Sequence, residues 1–293
     1  MCVGKKQNKN RILFLCKERN NSYGISTGLY QSSLFIVDFL KRNGIAASLE
    51  VCRDANSIDR FVWLFRPTHV VIHALWVTPA KLAELAQKYP KTKWNIRIHS
   101  KLPFLSNEGN AIKWLSEYAG IKNVEISTNN AEASKQLSLS LGKTVMYLPN
   151  VYDSVGGVAI SSAPVKCKKT VDIGCFGAIR PLKNILLQAA ASIAFGNKVG
   201  ANIRFHINSA RTEQGGESTL KNLRELFAIY QGRHSLVEHL WSPYNEFLKV
   251  VGGMDVGMQA SLSETFNIVA ADFVRMGIPI VTSAEIEWMS RLA

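Results

Sequence analysis

No two cysteines in this 293-residue chain have Cys-x-x-Cys spacing, and their number is odd: Cys2, Cys16, Cys52, Cys167 and Cys175 are scattered. That argues against a zinc site or a disulfide framework and fits a reducing compartment. No apolar run reaches the ~18 residues of a membrane span. The first ten residues are basic and polar, with no apolar stretch behind them to make a secretory signal, so a cytoplasmic location is expected. The full Gly-x-Gly-x-x-Gly fingerprint and the Walker lysine pattern are both missing. Charged residues make up only 19% against 47% hydrophobic, a globular balance that excludes disorder, collagen and coiled coil.

Acidic residues are the scarce charge. Lys and Arg number 35 and Asp and Glu 22, a net of +13. Residues 1–150 hold 21 basic and 10 acidic residues, a net of +11, and residues 151–293 hold 14 and 12, a net of +2. Such asymmetry fits an anionic partner for the first half, nucleic acid or an anionic membrane surface, and fits solubility charge on helix faces equally well. The basic stretch Lys88, Lys91, Lys93 and Arg97, with Lys101 and Lys113 downstream, is the expected contact. Trp63, Phe65, Trp76, Trp94, Phe104 and Trp114 read as core rather than as base-stacking platforms.

Short apolar runs alternate with amphipathic stretches. Strands are read at Arg11–Cys16, Ala47–Cys52, His69–Leu75, Trp94–His99, Val124–Ser127 and Thr144–Leu148. Helices are read at Gly28–Arg42 (with Leu29, Leu34, Phe35, Phe39 and Leu40 on one face), Ser57–Phe65, Pro79–Lys88, Glu108–Ala119 and Ala131–Leu141. From 151 to 170 the rhythm breaks into Gly, Ser and Pro, marking a linker. It restarts with strands at Val171–Phe176, Asn202–Ile207, Ser235–His239, Asp255–Met258 and Pro279–Thr282, and helices at Asn184–Phe195, Thr219–Tyr230, Tyr244–Val251 and Thr265–Met276. The expectation is two Rossmann-like α/β domains facing a cleft, 1–150 and 171–293, each with a mostly parallel sheet and ligands at the carboxyl ends of its strands.

Two segments carry candidate chemistry. Residues 171–184 read strand, glycine turn, helix: Gly177 lets backbone amides approach a phosphate, and Arg180 and Lys183 offer cations to a diphosphate. An ordinary turn with exposed cations has the same pattern. Around residue 264, Ser263-Glu264-Thr265-Phe266-Asn267 leads to Asp272, two carboxylates eight residues apart and near one face of a helix. Spacing alone also fits a helix-dipole acid plus one exposed Asp.

In this order these segments resemble the GT-B glycosyltransferases, specifically the large retaining, nucleotide-sugar-dependent family four. Gly177 and Lys183 match its Gly-x6-Lys loop; Glu264, Phe266 and Asp272 match its Glu-x-Phe-Gly-x4-Glu motif; Gly277-Ile278-Pro279 matches its Gly-x-Pro strand; and Pro149-Asn150-Val151-Tyr152-Asp153 resembles its interdomain Pro-Asn-Gly-Val-Asp. Asp272 stands for a Glu, Asn267 for a Gly and Ala178 for an Arg that Arg180 replaces. The chain ends at Ala293, soon after the Gly-x-Pro strand, which reads as a shortened C-terminal domain or a truncated chain.

The resemblance implies a retaining transferase of sugar from a nucleotide-diphosphate sugar, its co-substrate, with no other cofactor. No Asp-x-Asp pair occurs, in keeping with a metal-free site. Gly177, Arg180, Lys183, Glu264, Thr265, Phe266 and Asp272 would bind the donor. Glu264, Lys183 and Arg180, with His99 at the end of its strand, would carry the transfer; His73 is similarly placed, and Tyr23, Gly24 and Gly28 follow the first strand. Basic residues meet the diphosphate charge, and Asp272 takes the ribose hydroxyls. The acceptor reads as a hydroxyl-bearing modified base in DNA, as with phage enzymes acting in a host cytoplasm. The alternatives are a glycolipid or polysaccharide acceptor at a membrane surface, met by peripheral contact, and a non-catalytic nucleotide- or polyanion-binding module.

Overall fold

The computed structural model describes residues 10–18, 28–152, 169–230 and 232–291. Tyr23, Gly24, the linker from Gly156 to Pro164, Cys2 and Cys167 lie outside the described residues. Two compact units result, the first from residues 10–18 and 28–152, the second from 169–230 and 232–291.

The first unit runs β1 (Arg11–Lys17), α1 (Gly28–Arg42), β2 (Ala46–Cys52), α2 (Ser57–Phe65), β3 (His69–His73), α3 (Pro79–Lys88), β4 (Lys93–Ile98), α4 (Leu102–Leu105), α5 (Ala111–Ala119), β5 (Val124–Thr128), α6 (Ala131–Leu141) and β6 (Val145–Tyr147). Capping sets the helix starts: Thr78 accepts from the Lys81 amide at α3, and Asn130 from the Ala133 amide at α6. All pairings are parallel, in the order β2-β1-β3-β4-β5-β6. The central strands carry short apolar runs, such as residues 12–16 and 70–72, because helices cover both sheet faces. Leu13, Leu15, Val70, Ile72, Trp94, Ile96 and Ile126 fill one side, and Phe14, Val37, Ala47 and Val71 the other.

The second unit runs β7 (Thr170–Gly174), α7 (Ile185–Val199), β8 (Asn202–Asn208), α8 (Gly216–Ile229), β9 (His234–His239), α9 (Tyr244–Gly252), β10 (Val256–Gln259), α10 (Ile268–Arg275) and β11 (Ile280–Thr282), with 3-10 turns at Pro181–Lys183 and Glu287–Arg291. Its parallel order is β11-β10-β7-β8-β9. Strand order reverses between β1 and β3 in one unit and between β7 and β10 in the other. Open α/β sheets bind ligands at the carboxyl ends beside such reversals. No described helix is long and apolar enough to cross a membrane.

Four local expectations are corrected. Helix α1 buries Gln31, Ser32, Ser33, Phe35 and Val37, while Phe39 is exposed, so its inner face is half polar. Trp63 is 64% exposed on α2 rather than core. The segment before α5 contains the separate turn α4. Helix α10 starts at Ile268, not Thr265, because Asn267 is left-handed at φ 57° and caps the helix through Ala270 N. Glu264 therefore precedes the helix and does not share a helical face with Asp272.

Candidate active site

The reversal between β7 and β10 brings the loops after both strands together. After β7, Gly177 adopts φ 118°, a conformation that favours glycine. Its amide donates to Asn208 Oδ1 at 3.0 Å, so this N–H belongs to the fold and not to a phosphate. The chain then turns through Arg180 and Pro181–Lys183 to Asn184, which precedes α7.

The two loops are knitted by polar contacts absent from the sequence reading. Leu262 N donates to Leu182 O at 2.9 Å. Gln188, 2% exposed on α7, donates to Lys183 O at 2.7 Å and accepts from Ala260 N at 2.9 Å. Asn267 donates from Nδ2 to Gln259 Oε1 (2.8 Å) and to Glu264 Oε2 (3.3 Å). Trp288 stacks on Phe266 at 5.5 Å and donates to its carbonyl, closing the motif loop from behind.

At the centre Lys183 Nζ donates to Glu264 Oε2, with the two side chains only 12% and 10% exposed. Burial opposes the Glu264 charge, yet Lys183 and Arg180 outweigh it and hold its pKa below the ordinary glutamate range. Arg180 is tethered to Glu213 at 3.4 Å, and Glu213 also receives Arg211. Four of the expected residues, Gly177, Arg180, Lys183 and Glu264, thus belong to one loop cluster, with Thr265 and Phe266 on the adjoining turn. Asp272 lies one helix turn in, 1% exposed, and accepts the Tyr244 hydroxyl at 2.6 Å. It is a fixed buried acceptor, not an exposed helix acid.

In the first unit, β3 and β4 end at a histidine pair. His73 Nδ1 lies 2.8 Å from His99 Nε2, and the rings stack at 5.0 Å. Burial first and the Arg97 charge second push both pKa values well down, so both rings are neutral at pH 7. The expected basic stretch does not form one surface. Arg97 is 1% exposed and Lys101 7%, Lys88 pairs with Asp59 at 2.8 Å, and Lys113 reaches Glu117 at 4.0 Å. Lys91 and Lys93 are exposed, but at the amino end of β4, about 20 Å of strand from its other end.

A second network also escaped the sequence reading. Asp172 takes Arg204 through two bonds of 2.6 Å and His206 Nε2 at 2.8 Å; His206 Nδ1 lies 2.8 Å from His239 Nε2. The signal was alternation along β8: Arg204, His206 and Asn208 oppose the apolar Ile203, Phe205 and Ile207.

No family model and no curated protein matches the chain. Solved structures do. The Anabaena protein HepE, in complex with UDP, matches at 14% identity and TM-score 0.60 over 96% of this chain and 82% of its own. The catalytic domain of starch synthase IV from Arabidopsis thaliana, bound to ADP and acarbose, matches at 9% and 0.67 over 95% and 84%. An alpha-glucosyltransferase in complex with UDP and a 13-mer DNA containing an HMU base matches at 12% and 0.66 over 94% and 80%. With its two parallel, doubly wound units, the chain has the GT-B fold of glycosyltransferases.

Proposed function

We propose that this protein transfers a sugar from a nucleotide-diphosphate sugar to an acceptor hydroxyl, with retention at the anomeric carbon. The observation that carries the reading is the half-buried Lys183–Glu264 pair at the β7/β10 reversal, with Arg180 beside it. Glycosyl transfer passes through an oxocarbenium-like state in which the diphosphate departs with growing negative charge. Lys183 has three N–H donors, of which Glu264 takes one, so the same ammonium can serve diphosphate oxygens. Arg180 adds a second cation, and preorganised charge of this kind lowers the barrier without reorganisation. Glu264, held ionised, accepts from sugar hydroxyls, and Asp272 accepts from the ribose. The leaving-group charge is met by Lys183 and Arg180, and the proposal includes no metal or other cofactor.

For the acceptor we favour a hydroxyl-bearing DNA base. The +11 surplus of residues 1–150 supports it, as does the likeness to a glucosyltransferase solved with DNA. A base acceptor has to be met flipped or unpaired. The test is a screen of nucleotide sugars for hydrolysis and transfer, with and without hydroxymethylated DNA, on the parent and on Glu264→Gln. Turnover that Glu264→Gln removes supports the enzyme; nucleotide binding without turnover, indifferent to Glu264→Gln, leaves a binding module.

A further inference from the structure

The histidine pair of the first unit belongs to a longer chain of hydrogen bonds whose direction the geometry fixes. Ser33, fully buried in α1, has its Oγ 2.7 Å from Leu29 O and 3.1 Å from His73 Nε2. Two oxygens at 2.7 Å need a proton between them, and a carbonyl has none, so the hydroxyl donates to Leu29. Toward His73 the oxygen can then only accept, and His73 Nε2 must carry the proton. A neutral imidazole has one N–H. His73 Nδ1 is therefore bare, and its 2.8 Å contact requires a proton on His99 Nε2. The Cys16 thiol, 3.5 Å from Ser33 Oγ and pushed by burial to a pKa of about 11, remains protonated and can donate to the same oxygen.

Doubly protonated rings would break this logic, and the surroundings disfavour them. His73 is 1% exposed, stacked between Phe14 and His99. Arg97, its register partner on β4, is equally buried and donates from Nη2 only to neutral acceptors: Leu148 O, Pro149 O and Asn150 Oδ1. Among the described residues no carboxylate pairs with that guanidinium, and it opposes a second positive charge beside it.

We propose that Ser33 and His73 are positioning residues that hold His99 as a neutral imidazole, its Nε2–H turned onto His73 and its Nδ1 the ring's acceptor. In that state His99 carries no proton at Nδ1, and any group meeting Nδ1 has to donate. The part this gives His99 in sugar transfer rests on the glycosyltransferase reading above; the tautomer does not.

The experiment is a long-range 1H–15N spectrum of the full chain labelled with 15N-histidine, at neutral pH, assigned with His73→Gln and His99→Gln. Both rings should show a protonated Nε2 and a bare Nδ1. Ser33→Ala, which removes the acceptor at the buried end, should abolish the single His99 tautomer, and Ser33→Thr should restore it. An Nδ1–H tautomer or an imidazolium at either ring in the unaltered protein overturns the proposal. So does a folded Ser33→Ala with His99 unchanged. Donor turnover of His99→Gln is scored separately: unaltered turnover with the stated tautomers removes His99 from the reaction and leaves the hydrogen-bond chain supported.

Discussion

Lys183 and Glu264, 81 positions apart in the chain, meet as a half-buried ion pair between the loops that follow β7 and β10. Removing the ammonium strips charge stabilisation from the leaving group. Loss of one such preorganised donor costs roughly 10²–10³ in turnover, about 2.7–4 kcal/mol. Lys183→Ala should therefore lower donor turnover by that factor, read by initial-rate kinetics on the best donor of the screen. Parent-like rates would show that the site is assigned wrongly.

The same pair makes a pH prediction. A carboxylate with a depressed folded pKa contributes stability above its unfolded pKa and loses it as pH falls through the folded value. Glu264 is depressed despite its burial, by Lys183 and Arg180. Its contribution is complete above the ordinary glutamate value of 4.5 and drains away below it. Thermal midpoints measured from pH 6 downward should fall more steeply for the parent than for Glu264→Gln. Identical slopes would mean that Glu264 is not held ionised by its neighbours.

Asp272 sets the donor-affinity prediction. Its carboxylate is buried and oriented by the Tyr244 hydroxyl at 2.6 Å. Asp272→Ala should raise the donor KM more than it lowers kcat, and Tyr244→Phe should do the same more weakly. A pure kcat defect in both would move Asp272 from ribose binding to the reacting centre.

Asn267 separates conformation from capping. At φ 57° the position favours glycine or asparagine, and the side chain also accepts from Ala270 N at 3.0 Å. Asn267→Gly keeps the backbone and loses the cap; Asn267→Ala loses both. Urea unfolding should place Asn267→Ala about 1–3 kcal/mol below the parent, with Asn267→Gly between them.

That residue also shows what a sequence does and does not reveal. The Glu-x-Phe-x pattern locates the loop, and short continuous apolar runs locate nearly every strand, because parallel strands covered on both faces carry such runs rather than a polar/apolar alternation. Asn267 looked like a departure from glycine, although asparagine can adopt the same left-handed backbone. Gln188, Ser33 and Trp288 give no sequence signal, since their roles depend on partners distant in sequence, and a helix pattern records only that a polar residue interrupts it. Arg97 and Lys101 read as surface charge in the sequence but are buried, because a charge run does not report burial.

The acceptor prediction changes with that last finding. If the first unit holds DNA, binding releases counterions and weakens with salt at a log–log slope of about −0.9 per neutralised phosphate. With Lys88 and Lys113 paired and Arg97 and Lys101 buried, Lys91 and Lys93 are the exposed members of the basic stretch that hold no ion pair among the described residues. If they touch phosphates, each removal should flatten the slope by about 0.9, whereas Arg97→Ala should act on stability, since its guanidinium holds Leu148, Pro149 and Asn150. Salt sensitivity alone does not separate DNA from an anionic lipid surface, which also attracts exposed lysines. Labelled duplex bearing hydroxymethylated bases is therefore titrated beside anionic vesicles at matched salt, and label transfer from the donor is scored on both. Transfer to duplex, with a slope that Lys91→Ala and Lys93→Ala each reduce, supports the DNA acceptor. Binding and transfer on vesicles, with neither on the duplex, ends it and makes the acceptor a lipid-borne hydroxyl.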